Sequence, residues 1–187
     1  MKAVQSMGRR FERAYENRTR PPEAEDAILV RFGEGISVPN GKTVLELDLP
    51  ELTAGDRVLA RDLHLHVAGP EKIGIVGQNG AGKTTLLRKT AELLLPRPDL
   101  KAAYMPQNYG DLLVPEKTPV EFLSADGSRE EATRIRTLLG SMKYTAGEME
   151  HAAAALSGGQ KAKLLFLKMI FDGCNVLILD EPTRNFS

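Results

Sequence analysis

Apolar runs are short along this chain, and turn residues separate them into elements that can be read one at a time. AILVRFGEGISV (27–38) and KTVLELDL (42–49) flank Pro39, Asn40 and Gly41, a composition suited to a tight turn, so the pair predicts a β-hairpin. RDLHLHVAG (61–69) alternates polar and apolar positions, which predicts a strand with one solvated face. His64 and His66 fall on that solvated side, and with no third ligand nearby they read as exposed rather than metal-binding. EKIGIV (71–76) predicts a buried strand over residues 73–76 that runs into a glycine loop. A helix then extends to about Leu95 and is stopped by Pro96.

The rest of the chain alternates helix and strand. KAAYMPQ (101–107) predicts a short strand, and residues 117–151 predict helix punctuated by Gly140 and Gly147, with Ile135, Leu138 and Leu139 on an apolar side. LSGGQKAKLLFLKMIF (156–171) opens another helix, and NVLILD (175–180) predicts a buried, parallel-type strand. Strand–loop–helix and helix–strand units imply a mainly parallel sheet covered by helices, behind an antiparallel β layer. At the N-terminus, residues 2–17 predict a basic helix with Val4, Met7, Phe11 and Ala14 on one face. A proline-broken linker, TRPPEAED (19–26), follows it.

Composition changes this picture little. The 187 residues suit one domain; 42% are apolar and 27% charged, an ordinary globular balance. Lys+Arg and Asp+Glu are equal at 25 each, so no whole-molecule field draws the chain to nucleic acid or membrane. Locally, Lys2, Arg9, Arg10, Arg13, Arg18 and Arg20 outweigh Glu12 and Glu16. The one cysteine, Cys174, excludes an internal disulfide and fits a reducing cytosol as a small buried side chain. Apolar runs are too short to span a bilayer and no signal-peptide core is present, so direct membrane insertion is not expected and the predicted compartment is the cytoplasm.

Three motifs carry chemistry. Gly77, Gln78, Asn79, Gly80, Ala81, Gly82, Lys83 and Thr84 fit G-x-x-x-x-G-K-[ST] between a predicted strand and helix. Glycines let successive backbone N–H groups turn inward onto phosphate oxygens, and the helix start adds its positive dipole end. Lys83 is expected on the β- and γ-phosphates, Thr84 on magnesium and Thr85 on the α-phosphate. At the end of VLILD, Asp180 is expected on the magnesium side and Glu181 as the group that orients the attacking water. Ser157, Gly158, Gly159 and Gln160 form a second glycine-bearing helix start, hence a second anion site. Two such sites in one chain are economical if two domains face each other head to tail. Each ATP then lies between the 77–84 loop of one domain and the 157–160 tip of the other.

GQNGAGKTT, LSGGQ and VLILDEP, in this order, resemble the nucleotide-binding domain of ABC ATPases from about residue 28 onward. The resemblance implies an α/β fold: a P-loop core with a mainly parallel sheet, an antiparallel β subdomain and a helical subdomain at about 110–157. It implies ATP and Mg2+ as ligands, with Gln107 as a magnesium-sensing catalytic partner of Glu181 and Lys83. LSGGQKAKLLFLKMIF followed by NVLILDEPTRNFS looks most like the ABC-F proteins, in which two such domains share one chain. SMGRRFERAYENR resembles the close of their basic linker, which implies residues 1–20 as a linker contacting ribosomal RNA. The chain thus reads as the second ATP-binding domain of an ABC-F-like protein, cut at both ends, with 21–187 an incomplete domain. ATP binding with weak or no turnover is expected for these residues, and hydrolysis for the parent. Two departures stand out. No aromatic lies near Leu52, Thr53 and Ala54, where the family places its adenine-stacking ring; Phe32 fits poorly as a substitute. Arg184, Asn185, Phe186 and Ser187 replace the usual Asn-His-Leu-Asp-like run, and the family's switch histidine would fall beyond Ser187. Two alternatives stay open: an ATPase subunit of a membrane transporter, and a module that uses nucleotide only as a structural ligand.

Overall fold

The computed structural model describes residues 36–108 and 110–182. The expected basic helix, the linker, residues 27–35 of the strand expected over 27–38 and the stretch after Pro182 lie outside these residues. Ile36, Ser37 and Val38, the described end of that strand, carry no strand, and the described partner of 43–54 is the segment at 57–68 instead. Two strands, β1 (Thr43–Ala54) and β2 (Arg57–Ala68), form an antiparallel hairpin closed at Gly55 and Asp56. Gly55 takes a left-handed φ of 59°, which this tight reversal requires. The turn read at Pro39-Asn40-Gly41 is also present, with Lys42 N–H donating to the Pro39 carbonyl at 3.2 Å. It leads into β1. Along β2 the alternation holds: His64 and His66 are exposed, while Leu63, Leu65 and Val67 pack against the core.

The helix α1 (Lys83–Leu94) follows the glycine loop, with its last turn at Leu95 just before Pro96. Strand β3 (Ala102–Met105) pairs in parallel with β4 (Val176–Leu179), in the register Ala102↔Val176 through Met105↔Leu179. Between them lie α2 (Pro119–Leu123), α3 (Arg129–Ser141), α4 (Ala146–Glu150) and α5 (Gly158–Phe171). The predicted helical stretch is therefore three separate helices, and a residue that can cap the next helix stands at each restart. Thr118, Ser128 and Thr145 each accept a hydrogen bond from the backbone N–H three residues on, at Glu121, Glu131 and Glu148.

Two apolar clusters hold these pieces. Val44, Leu45 and Leu47 of β1 pack with Ala91 and Leu94 of α1 and Ile178 of β4. Among the later helices, Leu123, Ile135, Leu139, Leu164 and Leu167 are fully buried, each worth roughly 1.5–3 kcal/mol of hydrophobic stabilisation. Ile135 and Leu139 confirm the apolar side read from spacing, and Leu138 beside them is half-buried. Cys174, just before β4, is buried as expected, and that burial pushes its thiol pKa up.

One expected element differs. Residues 71–78 carry no strand pairing; Ile73 is 49% exposed and Val76 92% exposed. Apolar β-formers favour extended backbone, but a strand exists only when a neighbour supplies ladder hydrogen bonds, and no described strand pairs with this segment. The parallel sheet among the described residues is accordingly two strands wide.

The loop before α3 is organised by one carboxylate. Glu131 accepts hydrogen bonds from the Ser124 hydroxyl and from the backbone N–H groups of Ala125, Asp126 and Gly127. The Ser124 hydroxyl first, then the Ala125 amide, hold its pKa down at about 2. Because the folded pKa lies below the unfolded one, this contribution is present above the unfolded pKa of about 4.5 and fades as pH falls toward 2. Glu131→Gln should lower the urea midpoint at pH 7, and the gap to the parent chain should narrow steadily between about pH 4.5 and 2.

Candidate functional site

The phosphate loop takes its shape from glycine. Gly80 and Gly82 have φ of 80° and 99°, both in the left-handed region. A Cβ on Gly82 would stand 3.0 Å from Leu59 Cδ1 and 3.2 Å from Leu59 Cβ, so the loop lies directly on the β1–β2 hairpin. Gly82 is also the N-cap of α1, and no side chain caps that helix. Its first N–H groups therefore have no side-chain acceptor, the condition that makes a helix start an anion site. Lys83 folds back along the loop and donates from Nζ to the carbonyls of Gly77 at 2.9 Å and Gln78 at 3.0 Å. Thr84 and Thr85 sit in the first turn, half-buried.

The parallel register of β3 and β4 builds the second part of the site. Met105 lies opposite Leu179, and Asp180 N–H continues the ladder by donating to the Met105 carbonyl at 2.9 Å. Two residues beyond that pair, Gln107 meets Glu181: Gln107 Nε2 donates to Glu181 Oε2 at 3.0 Å. Glu181 holds a left-handed φ of 48°, strained for a residue with a Cβ. Asp180 is 4% exposed, and its Oδ2 has no hydrogen-bond partner among the described residues. A buried carboxylate oxygen left unpaired suits a site that receives a cation or a cation-bound water.

Lys83, Asp180 and Glu181 line one cleft of about 840 Å3. Its other walls include the segment at 73–75, β4 and residues of β1, β2 and α1. The lysine and the two carboxylates thus share one cleft, with Gln107 joined through Glu181, whereas Gly77, Gln78, Asn79, Gly80, Ala81, Gly82, Thr84 and Thr85 do not line it.

Ser157, Gly158, Gly159 and Gln160 stand elsewhere. None of them lines that cleft; they begin α5, which packs against α2. A reciprocal cap orders this tip, with Gln160 N–H donating to Ser157 Oγ at 3.3 Å and Ser157 N–H to Gln160 Oε1 at 2.9 Å. Behind it lie two residues that sequence reading passed over. Gln160 Nε2 donates to Glu148 Oε1 at 2.6 Å, and the Tyr144 hydroxyl donates to the Gln160 carbonyl at 2.5 Å. Their only sequence signal is the Thr-x-x-Glu cap at 145–148, which says nothing about Gln160. Leu52, at the position where a base-stacking ring is expected, is buried and packs toward Gly82.

The family model described as ABC transporter matches residues 60–184 of the chain. Among curated relatives, the probable ATP-binding protein YheS of Escherichia coli K12 is 27% identical over 172 residues, covering 88% of this chain and 27% of the relative. ABC transporter F family member 5 of Arabidopsis thaliana is 30% identical over 173 residues, covering 88% and 25%. The ribosome protection protein VmlR of Bacillus subtilis is 29% identical over 188 residues, covering 97% and 34%. The chain thus spans about a quarter to a third of the length of these relatives.

Gly82→Ala should cost about 1–2 kcal/mol in unfolding free energy, because an L-residue must hold a left-handed φ and press on Leu59. Asp180→Asn should do the opposite without ligand: removing a buried charge with an unpaired oxygen should raise stability by up to about 1 kcal/mol. Chemical denaturation of both variants checks the two signs together.

Proposed function

The chain belongs to the ABC transporter family, and on that premise we propose that it is the ATP-hydrolysing domain of a ribosome-associated F-type protein. In this reading it works face to face with a second such domain, from the same parent chain or from a second copy. The observation that carries the hydrolytic reading is the meeting of Lys83, Asp180 and Glu181 on one cleft, with Gln107 bonded to Glu181.

The residues fit Mg-ATP. Gly77, Gln78, Asn79, Gly80, Ala81 and Gly82 supply a glycine-bearing loop at an uncapped helix start, and Thr85 adds a hydroxyl in the first turn. Lys83 exchanges two backbone carbonyls for the β- and γ-phosphate oxygens, so its charge is ready at the loop before nucleotide arrives. Thr84, Asp180 and Gln107 would hold magnesium, which when bound draws off the negative charge developing on the phosphoryl oxygens. Glu181 takes a proton from water as the water oxygen attacks the γ-phosphorus. The bond to the β–γ bridging oxygen breaks, leaving ADP and inorganic phosphate. Gln107 steadies Glu181 through their hydrogen bond, so a change at the Gln107 loop is felt by the base.

Two separate glycine-bearing helix starts, at Gly82 and at Ser157, support the two-domain arrangement. A capped helix start carrying two glycines is suited to the γ-phosphate of a nucleotide held by the facing domain. The ribosomal reading rests on the similarity to VmlR, a ribosome protection protein whose match reaches 97% of the chain. It rests also on the net excess of four positive charges over residues 1–20, which suits an RNA backbone. Among the described residues no helix is long and apolar enough to cross a membrane. The site of action in this reading is the cytoplasm.

Lys83→Ala should weaken nucleotide binding at least about tenfold in a titration; unaltered affinity would refute the assignment of the loop. In the complete protein, Glu181→Gln should slow ATP turnover by about 10²–10⁴ while leaving binding intact. The same variant should increase salt-sensitive co-sedimentation with ribosomes. Turnover without any ribosome association would favour a transporter subunit, and no turnover in the complete protein would leave nucleotide as a structural ligand.

A further inference from the structure

The helix tip at 157–160 is held from behind by a polar network in which two members, Glu148 and Tyr144, belong to neither glycine motif. Gln160 is its hub. The side-chain oxygen accepts from Ser157 N–H, the side-chain nitrogen donates to Glu148, and the main-chain carbonyl accepts from the Tyr144 hydroxyl. Both ends of the Gln160 amide are thereby committed, which assigns its orientation. Glu148 is committed as well, its second oxygen accepting from the Thr145 N–H at 2.8 Å and the Thr145 hydroxyl at 2.9 Å. Tyr144 is 5% exposed, and its N–H donates to the Leu139 carbonyl at 3.1 Å, so it stands on the end of α3.

From this wiring we infer that Glu148 and Tyr144 are positioning residues for the Ser157–Gln160 tip, and that the Glu148–Gln160 hydrogen bond sets its readiness to close on phosphate. This inference rests on the reading that the tip grips the γ-phosphate of a facing domain. An anion site made of backbone N–H groups works by preorganisation: its donors must be aimed before the charge arrives. Two glycines make the tip conformationally loose, so some other part of the fold must hold it. Ser157 caps only locally, within its own turn. Glu148 and Tyr144 join the tip to α4 and α3, and a shift of those helices would move Gln160 with them. Neither residue touches nucleotide; each acts through Gln160.

Glu148→Gln isolates this role from simple helix capping. Glutamine serves equally as the third residue of a Thr-x-x-[Glu/Gln] cap, so α4 keeps its start. With the oxygen of the new amide on Thr145, however, its nitrogen faces the Gln160 nitrogen, two donors with no acceptor. Gln160→Glu reverses the partner, so that the amide introduced at position 148 can donate to a carboxylate that still accepts from Ser157 N–H. The decisive measurement is a double-mutant cycle on ATP turnover and Mg-ATP affinity in the complete protein.

With Gln160 retained, Glu148→Gln should lower kcat about tenfold, the scale of one lost charge-assisted hydrogen bond, with Mg-ATP affinity at the Lys83 loop unchanged. In the Gln160→Glu background the same substitution should raise kcat, because it replaces two facing carboxylates by a hydrogen bond. Tyr144→Phe should lower kcat with the same unchanged affinity. An effect of the same sign in both backgrounds, or none, overturns the inference. Ser157→Arg distinguishes the layers: if it lowers turnover while Glu148→Gln does not, only the positioning role fails. If Ser157→Arg leaves turnover unchanged, the γ-phosphate reading fails and this inference falls with it.

Discussion

The parallel pairing of β3 with β4 is the constraint on which the meeting of Gln107, Asp180 and Glu181 depends. Four ladder positions, closed by Met105 opposite Leu179, aim two loops at one place. Asp180 extends the ladder by one further hydrogen bond and is buried as a consequence. Gln107 and Glu181 come next, and their side chains bond. A slip of one residue would break that meeting and turn each strand's faces over. The β1–β2 hairpin completes the arrangement by packing on α1 and, through Leu59, on the glycine loop.

The two helix starts that bear glycines are built in opposite ways. The start of α1 has a left-handed glycine as N-cap and no side-chain acceptor, so its donors are left for a ligand. Ser157 and Gln160 close the start of α5 reciprocally, and Glu148 of α4 and Tyr144 of the turn between α3 and α4 hold it from behind. An uncapped start suits tight capture of a phosphate chain within one domain. A start fixed from behind suits a surface that must meet a ligand carried by something else. The contrast is in hydrogen bonding alone, since both motifs use glycine to expose backbone.

Carboxylates show the same economy of local wiring. Asp99 takes Arg97 and Lys42, which hold its pKa well below the usual carboxylate range, and Arg97 also donates to the Val44 carbonyl at 2.6 Å. This ties the end of α1 to the start of β1 next to the first apolar cluster. Glu131 and Glu148 order loops by accepting several hydrogen bonds each. Asp180 is the exception, buried with one oxygen unpaired, and it lines the same cleft as Lys83 and Glu181.

Sequence alone determined the features that depend on residues close together along the chain. The Pro39-Asn40-Gly41 turn, the span of α1 up to Pro96, the α5 helix behind Ser157 and the glycine loop itself all follow from local backbone preferences. The two helix breaks inside 117–151 fall at 124–128 and 142–145, not at Gly140 and Gly147, which lie inside helices; the restarts are marked by the capping residues Ser128 and Thr145 instead. Tertiary structure decided what depends on partners distant in sequence. Whether residues 73–76 form a strand turns on a neighbour to pair with, and composition cannot supply one. That Gln107 meets Glu181, 74 residues away, follows from a strand register, and that Glu148 holds Gln160 follows from how α4 and α5 both pack against α2. Hydrogen bonds of this kind are set by packing geometry, which no short window of sequence contains.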